Sequence, residues 1–343
     1  TMKAYMGYLH DLARNDSVPS EEYIINEFGG KWDSIGEWEA PVRDRNGPVN
    51  PVTHTYYWYL DNIMFAKIAG ELGYHQDQQR YRALADTIKE AFNHKFFDPE
   101  TNLYGTSPLY QTYQLYALSG NLVPEANRQD VLDGLITDIM EPREGHLATG
   151  ILGTKHLVNL LPQENREEIL HTVATQTTYP SWGYWIKNGA TTLWENWAGK
   201  KSHNHQMFGT INEYFYKYLA GIRSPVEGIT TPGYKHIHIK PYIPDDLQFT
   251  EASLETVRGK VSSRWQKNDN YLVMHISIPA NATAEVDIPL PSQSDFELKE
   301  SETVIWSNGR IKLQQDGITE LTRYEDYLKL QITSGTYQFQ TEL

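Results

Sequence analysis

The sequence predicts an α+β chain of two domains: an all-helical part over residues 1–223, then an antiparallel β-sandwich over 224–343. Three observations carry this. Before residue 224 apolar residues recur at helical spacing, and after it they alternate with a period of two. At 343 residues the chain is long enough for two domains or one large one. The junction Arg223-Ser-Pro-Val-Glu-Gly228 has the composition of a linker.

The elements follow in order. Met2, Met6, Leu9 and Leu12 fall on one helical face, so the chain opens inside a helix without a cap. Leu60, Met64, Ile68 and Leu72 repeat every four residues within 52–73, and Gly73 is placed to end that helix. The polar stretch 75–79 leads into a helix through Tyr81, Leu84, Ile88 and Phe92. Further helical patterns cover 108–119, 126–140, 147–161, 164–176 and 205–221, the last with Phe208, Ile211, Phe215 and Leu219 on one face. Two irregular stretches, 29–51 and 178–204, exceed ordinary helix connections, which points to function. Long loops at one end fit a two-layer helical barrel of alternating inner and outer helices. In the second part Leu272, Met274, Ile276 and Ile278 alternate with more polar neighbours, as do Ala284, Val286 and Ile288, and Val261, Ser263 and Trp265. Turn clusters at 267–270 and 307–309 separate the strands.

Composition excludes several function classes. Lys plus Arg is 30 and Asp plus Glu is 44, a net charge of −14 that disfavours nucleic acid as a partner. Cysteine is absent, which excludes disulfides, thiol catalysis and Cys-ligated metals. It leaves the compartment open. No apolar run is long enough to span a bilayer, and the first residues are not a signal peptide. There is no phosphate-cradling glycine loop and no Gly-x-Ser-x-Gly. His236 and His238 share a strand face but lack a third ligand nearby in sequence, and His203 and His205 do not share a helix face. No metal and no cofactor is expected.

The chemistry concentrates in two segments. Residues 179–209 hold Trp182, Trp185, Trp194 and Trp197 around Glu195, with His203 and His205. A carboxylate beside apolar rings is poised for proton transfer, and Trp faces pack against the C–H faces of sugars. The competing reading, at even weight, makes these Trp residues core and Glu195 a capping residue. Residues 32–45 again mix Trp32 and Trp38 with Asp33, Glu37, Glu39 and Asp44. Two carboxylate–Trp loops fit glycoside hydrolysis, which needs a proton donor and a second carboxylate. For Glu39 and Asp44 singly, a solvated acidic loop is the favoured reading.

Asn188-Gly-Ala-Thr-Thr-Leu-Trp-Glu-Asn-Trp197 followed by Ser202-His-Asn-His-Gln-Met-Phe-Gly209 resembles the signature of the α-L-rhamnosidases of glycoside hydrolase family 78. Gly36-Glu-Trp38 is similar to the family's Gly-Asp-Trp, and Thr149–Thr154, Pro180–Tyr184, Gly259–Trp265 and Ile278–Thr283 also match. The likeness covers about residues 5–300. It implies an (α/α)6 barrel followed by a β-sandwich, and an inverting mechanism that removes terminal α-L-rhamnose from plant or bacterial glycans. Under it Glu195 is the general base, and Trp38 and His205 contact the sugar. Glu37 stands at a sugar-contact position, and Trp182 and Trp194 are added as pocket walls.

Two departures qualify the match. The family's general acid lies in an Asp-Glu-Arg-type motif upstream of the Gly-Asp-Trp loop, and these residues contain no such motif. With only eight or nine helical patterns, the barrel is expected to be incomplete at its N-terminus. Glu37 is also one methylene longer than the family's Asp. The expected partner is a rhamnose-containing carbohydrate, with neither nucleic acid nor membrane. The alternatives are a degenerate carbohydrate-binding protein without catalysis and an (α/α)6 glycosidase of other sugar specificity. Oligomeric state and location, periplasm or cytoplasm of a bacterium, stay open.

Overall fold

Helices in the first half of the molecule come as hairpins. The computed structural model describes residues 2–14, 22–26, 36–42, 51–105, 110–223, 233–290, 296–307, 309–312 and 315–342. It divides into two compact units, Thr1–Thr210 and Ile211–Leu343. In the first, α1 is Met2–Leu12. Helix α2 (Pro51–Glu71) pairs with α3 (His75–Phe96), α4 (Tyr110–Ser119) with α5 (Arg128–Met140), and α6 (Ile151–Gln163) with α7 (Glu167–Thr175). A short hairpin of β1 (Phe97–Asp98) and β2 (Leu103–Tyr104) follows α3, and the single-turn helix α8 is Trp182–Lys187.

Helices α2, α4 and α6 also pack in a row, α4 touching both of the others. They form an inner layer, with α3, α5 and α7 outside. Burial follows from that position. Helix α4 hides every residue from Gln111 to Leu118 except Tyr113, whereas α3 hides a single stripe of Tyr81, Ala85, Ile88 and Phe92. An inner helix must then satisfy its buried polar groups internally. Gln114 does so by bonding both backbone groups of Tyr104, at 3.0 and 2.7 Å. Gln111 accepts from Ala148 N–H at 2.6 Å.

Two helical expectations change. Helix α2 forms where expected and the chain turns at Gly73 (φ +77°), but Met64, Ile68 and Leu72 are exposed. The buried face is Tyr56, Tyr59, Asn62, Ala66 and Ala69, where Tyr56 stacks on Tyr116 of α4 at 4.4 Å. A regular apolar spacing marks a helix without saying which face its neighbours cover. The expected continuous helix over 205–221 is broken into a 3-10 turn (Gln206–Phe208), one α turn, α9 (Ile211–Glu213), and a π turn (Tyr214–Leu219). The π turn closes with Ala220 N–H on Phe215 C=O at 3.0 Å. Its wider turn shifts the phase of the stripe, burying Tyr214, Tyr218 and Leu219 and exposing Phe215.

The second unit is a two-sheet sandwich. Its strands are β3 (Ile222–Arg223), β4 (His236–Ile239), β5 (Phe249–Thr256), β6 (Gly259–Lys267), β7 (Tyr271–Ile278) and β8 (Thr283–Pro289). They continue as β9 (Glu297–Glu300), β10 (Thr303–Ser307), β11 (Arg310–Ile311), β12 (Ile318–Arg323), β13 (Tyr327–Ile332) and β14 (Gly335–Glu342). One sheet runs β11-β10-β9-β14-β7-β6-β5 and the other β12-β13-β8-β4-β3. Among the described residues, pairing is antiparallel except for β4 with β8. The alternation read from sequence is the core: Val261, Ser263, Trp265, Leu272, Met274, Ile276, Ile278, Ala284, Val286 and Ile288 are all buried. Trp265 donates to Leu219 C=O at 2.6 Å and Ser263 to Ala220 C=O at 2.7 Å, which ties the segment before β3 to the sheet.

The parallel β4–β8 register brings Glu285 and Asp287 to His238, carboxylates that lie far from it in sequence. His238 Nε2 is 2.9 Å from Asp287, and Lys329 Nζ is 2.5 Å from Glu285. The Lys329 ammonium already serves this group as counter-cation, and we read it as a charge network of the sheet face. Among the described residues no helix is long and apolar enough to cross a membrane.

Candidate active site

The site begins at the N-terminus of α6, where backbone N–H groups lack helical partners. Glu37 supplies one. Its carboxylate accepts from Gly153 N–H at 2.9 and 3.0 Å and from the Tyr116 hydroxyl at 3.1 Å. The residue is buried. Burial pushes the carboxyl up to about 7, against the opposite pull of the Gly153, Tyr116 and Gly150 hydrogen bonds. Ile151 N–H bonds Trp38 C=O at 2.8 Å. Gly150 admits this approach: a Cβ there would stand 2.1 Å from the Trp38 oxygen. Loop 36–42 is thus docked on the start of α6. Glu37, expected among the sugar contacts, is committed to that docking.

The second loop rests on an aromatic layer. Trp185 stacks on Trp197 at 4.8 Å, and Trp182 and Phe208 pack edge-on or tilted against Trp197. Each indole N–H has a carbonyl: Trp182 on Phe208, Trp185 on Trp197, Trp197 on Thr149. Trp194 stacks against His203 at 4.2 Å. Trp182 and Trp194, expected as pocket walls, are each 6% exposed and belong to this layer. All four Trp residues are buried, as the core alternative has it.

Glu195 stands differently. Its backbone N–H bonds Ser202 C=O at 2.8 Å, Ser202 N–H points at Oε2 at 3.4 Å, and the side chain stays 20% exposed. The Lys201 ammonium lies 3.6 Å from Oε1. Burial raises this carboxyl, but Ser202 N–H, the Lys201 charge, a hydrogen bond from Trp38 and the nearby His205 outweigh it and hold it below the usual range. His205 accepts from Met207 N–H at Nδ1, at 3.4 Å, which leaves Nε2–H as donor in the neutral ring. The structure therefore brings Glu195, Trp38 and His205 together from two loops, and keeps Glu195 ionised and accessible beside a partly exposed indole. Such a carboxylate can take a proton from water.

Sequence reasoning missed two participants. Glu39, favoured as solvated, is buried, and its carboxylate meets Lys201 Nζ at 2.5 Å. Lys201 also lies over the Trp38 ring, 4.1 Å from its centroid. Nothing local marks either residue, since 162 positions separate them. Trp32, Asp33 and Asp44 lie outside the described residues.

Comparison with known proteins bears on this arrangement. Residues 1–219 match the model of the bacterial alpha-L-rhamnosidase 6 hairpin glycosidase domain. The chain belongs to this family. Residues 221–302 match the bacterial alpha-L-rhamnosidase C-terminal domain. A rhamnosidase of Formosa agariphila is 29% identical over 341 residues, covering 95% of this chain and 35% of that protein. The structure of alpha-L-rhamnosidase from Dictyoglumus thermophilum aligns with TM-score 0.81 at 36% identity, over 100% of this chain and 36% of that one. Streptomyces avermitilis alpha-L-rhamnosidase complexed with L-rhamnose aligns with TM-score 0.78 at 26% identity, over 99% and 30%. The chain thus spans about a third of the length of the rhamnosidases it matches. The six-hairpin family accounts for the inner and outer helix rows, of which the described residues hold three hairpins.

Proposed function

We propose that this chain carries the base half of an inverting α-L-rhamnosidase that releases terminal α-L-rhamnose from glycans. The observation that carries the reading is Glu195: an accessible carboxylate held ionised by Ser202, Lys201, Trp38 and His205. In an inverting glycosidase the base takes a proton from the water that attacks the anomeric carbon, while an acid on the opposite face protonates the departing oxygen. Glu195 takes the first role. Trp38 offers the sugar an indole surface, and His205 offers a donor. Glu39 does not supply the acid, because it is buried against Lys201. Family membership and the rhamnosidase names of its relatives support the substrate class.

The test is release of L-rhamnose from an aryl α-L-rhamnoside. Glu195→Gln should lower kcat by roughly 10²–10⁴-fold with the fold intact. An unchanged rate would remove Glu195 from the mechanism. Binding of L-rhamnose without any release would instead favour a carbohydrate-binding role.

A further inference from the structure

Glu39 carries two costs at one residue. Its φ of +61° lies in the left-handed region that side chains with a Cβ seldom adopt. Its carboxylate is also 2% exposed, and burying a charge is unfavourable unless it is paired. Helix capping does not explain either cost, because Glu37 already caps α6 from the same loop. What Glu39 does hold is Lys201, at 2.5 Å. A lysine on a free four-carbon stem samples many positions. This one is fixed at its tip, between the buried Glu39 carboxylate, the Trp38 face at 4.1 Å and Glu195 Oε1 at 3.6 Å. It thereby joins loop 36–42 to loop 188–205 at the point where Glu195 meets Trp38.

We propose that Lys201, tethered by Glu39, is a positioning residue that holds the Glu195 carboxylate against Trp38. The proposal rests on the reading of Glu195 as the base, but its physical content is separable from turnover. The groups facing Glu195 are Trp38 from loop 36–42, with Glu39 behind Lys201, and Lys201, Ser202 N–H and His205 from its own loop. Removing the Lys201 charge withdraws a cation and leaves Glu39 as a nearby like charge. Both changes favour the protonated form of Glu195, so its titration moves to higher pH.

The experiment is a ¹³C titration of the glutamate side-chain carboxyls, with the Glu195 signal assigned by its loss in Glu195→Gln. Lys201→Met alone removes the cation facing the buried Glu39 and can unfold the loop. The double variant Glu39→Gln/Lys201→Met removes both charges and avoids that. In the double variant the Lys201 cation beside Glu195 is lost together with the Glu39 charge behind it, and the Glu195 midpoint should still rise, because the nearer charge dominates. Lys201→Arg should stay near the wild-type midpoint. The same shift should appear on the acidic limb of kcat/KM. An unmoved midpoint in the double variant, or an equal shift in Lys201→Arg, overturns the proposal. A rhamnose-release rate unaffected by Glu195→Gln would instead strike the base assignment and leave the titration result standing.

Discussion

Glu37 and Glu39 sit two positions apart, both buried, and do unrelated work. Glu37 faces the start of α6, and Glu39 faces a lysine from a distant loop. Glu37 also gives the fold a pH dependence. An unfolded glutamate ionises near 4.5, whereas burial raises the folded one to about 7. Below about 4.5 both states hold the proton, and the site costs nothing. As pH rises, the unfolded chain releases its proton first, so stability falls until the folded carboxyl also ionises near 7. The full difference corresponds to ~3 kcal/mol. Glu37→Gln is neutral throughout and should flatten the curve. Thermal unfolding between pH 4 and pH 8 checks this, and equal slopes for both proteins would count against the assignment. The motif named Glu195, Trp38 and His205 but not that two separate loops bring them to one place. The burial of Trp182 and Trp194 was not legible, because a motif does not say which way an indole faces.

At the scale of elements, the decisive contact is between loop 36–42 and the N-terminus of α6. Gly150→Ala would place a Cβ 2.1 Å from Trp38 C=O and 2.8 Å from Ala40 N, both backbone atoms that cannot step aside cheaply. We expect a loss of about 1–3 kcal/mol, together with weaker L-rhamnose binding as Trp38 moves. Gly7→Ala in α1 is the control, since nothing lies within 4 Å of its added carbon and the helix gains propensity. Differential scanning calorimetry of the two variants separates them; comparable melting points would show that the docking tolerates displacement. The helices themselves were legible from spacing, but not their faces. Helix α2 exposes its most regular apolar stripe because α4 meets the opposite, aromatic side. The π turn at Tyr214–Leu219 left no mark in the pattern, because an extra residue in one turn looks like ordinary scatter.

For the whole molecule, the sandwich core gives the clearest stability prediction. Trp265 is fully buried and donates to Leu219 C=O. Trp265→Ala should cost the Ile211–Leu343 unit about 3–5 kcal/mol, read as a lowered melting transition. A shift below about 1 kcal/mol would mean that the core closes over the gap. By itself the sequence determined the change of period from helix to strand, the two-part order of the chain, the sandwich core positions and the family motifs. These are local properties, set by which side chains neighbour one another along a strand or a turn. Only the tertiary structure decided that α2, α4 and α6 form an inner row, that four Trp residues are core, and that Glu37 caps a helix. The junction of Glu39, Lys201 and Glu195 likewise belongs to the folded state alone. Its energy comes from charges and rings separated by 162 residues in the chain and about 4 Å or less in space, a proximity that no local pattern encodes.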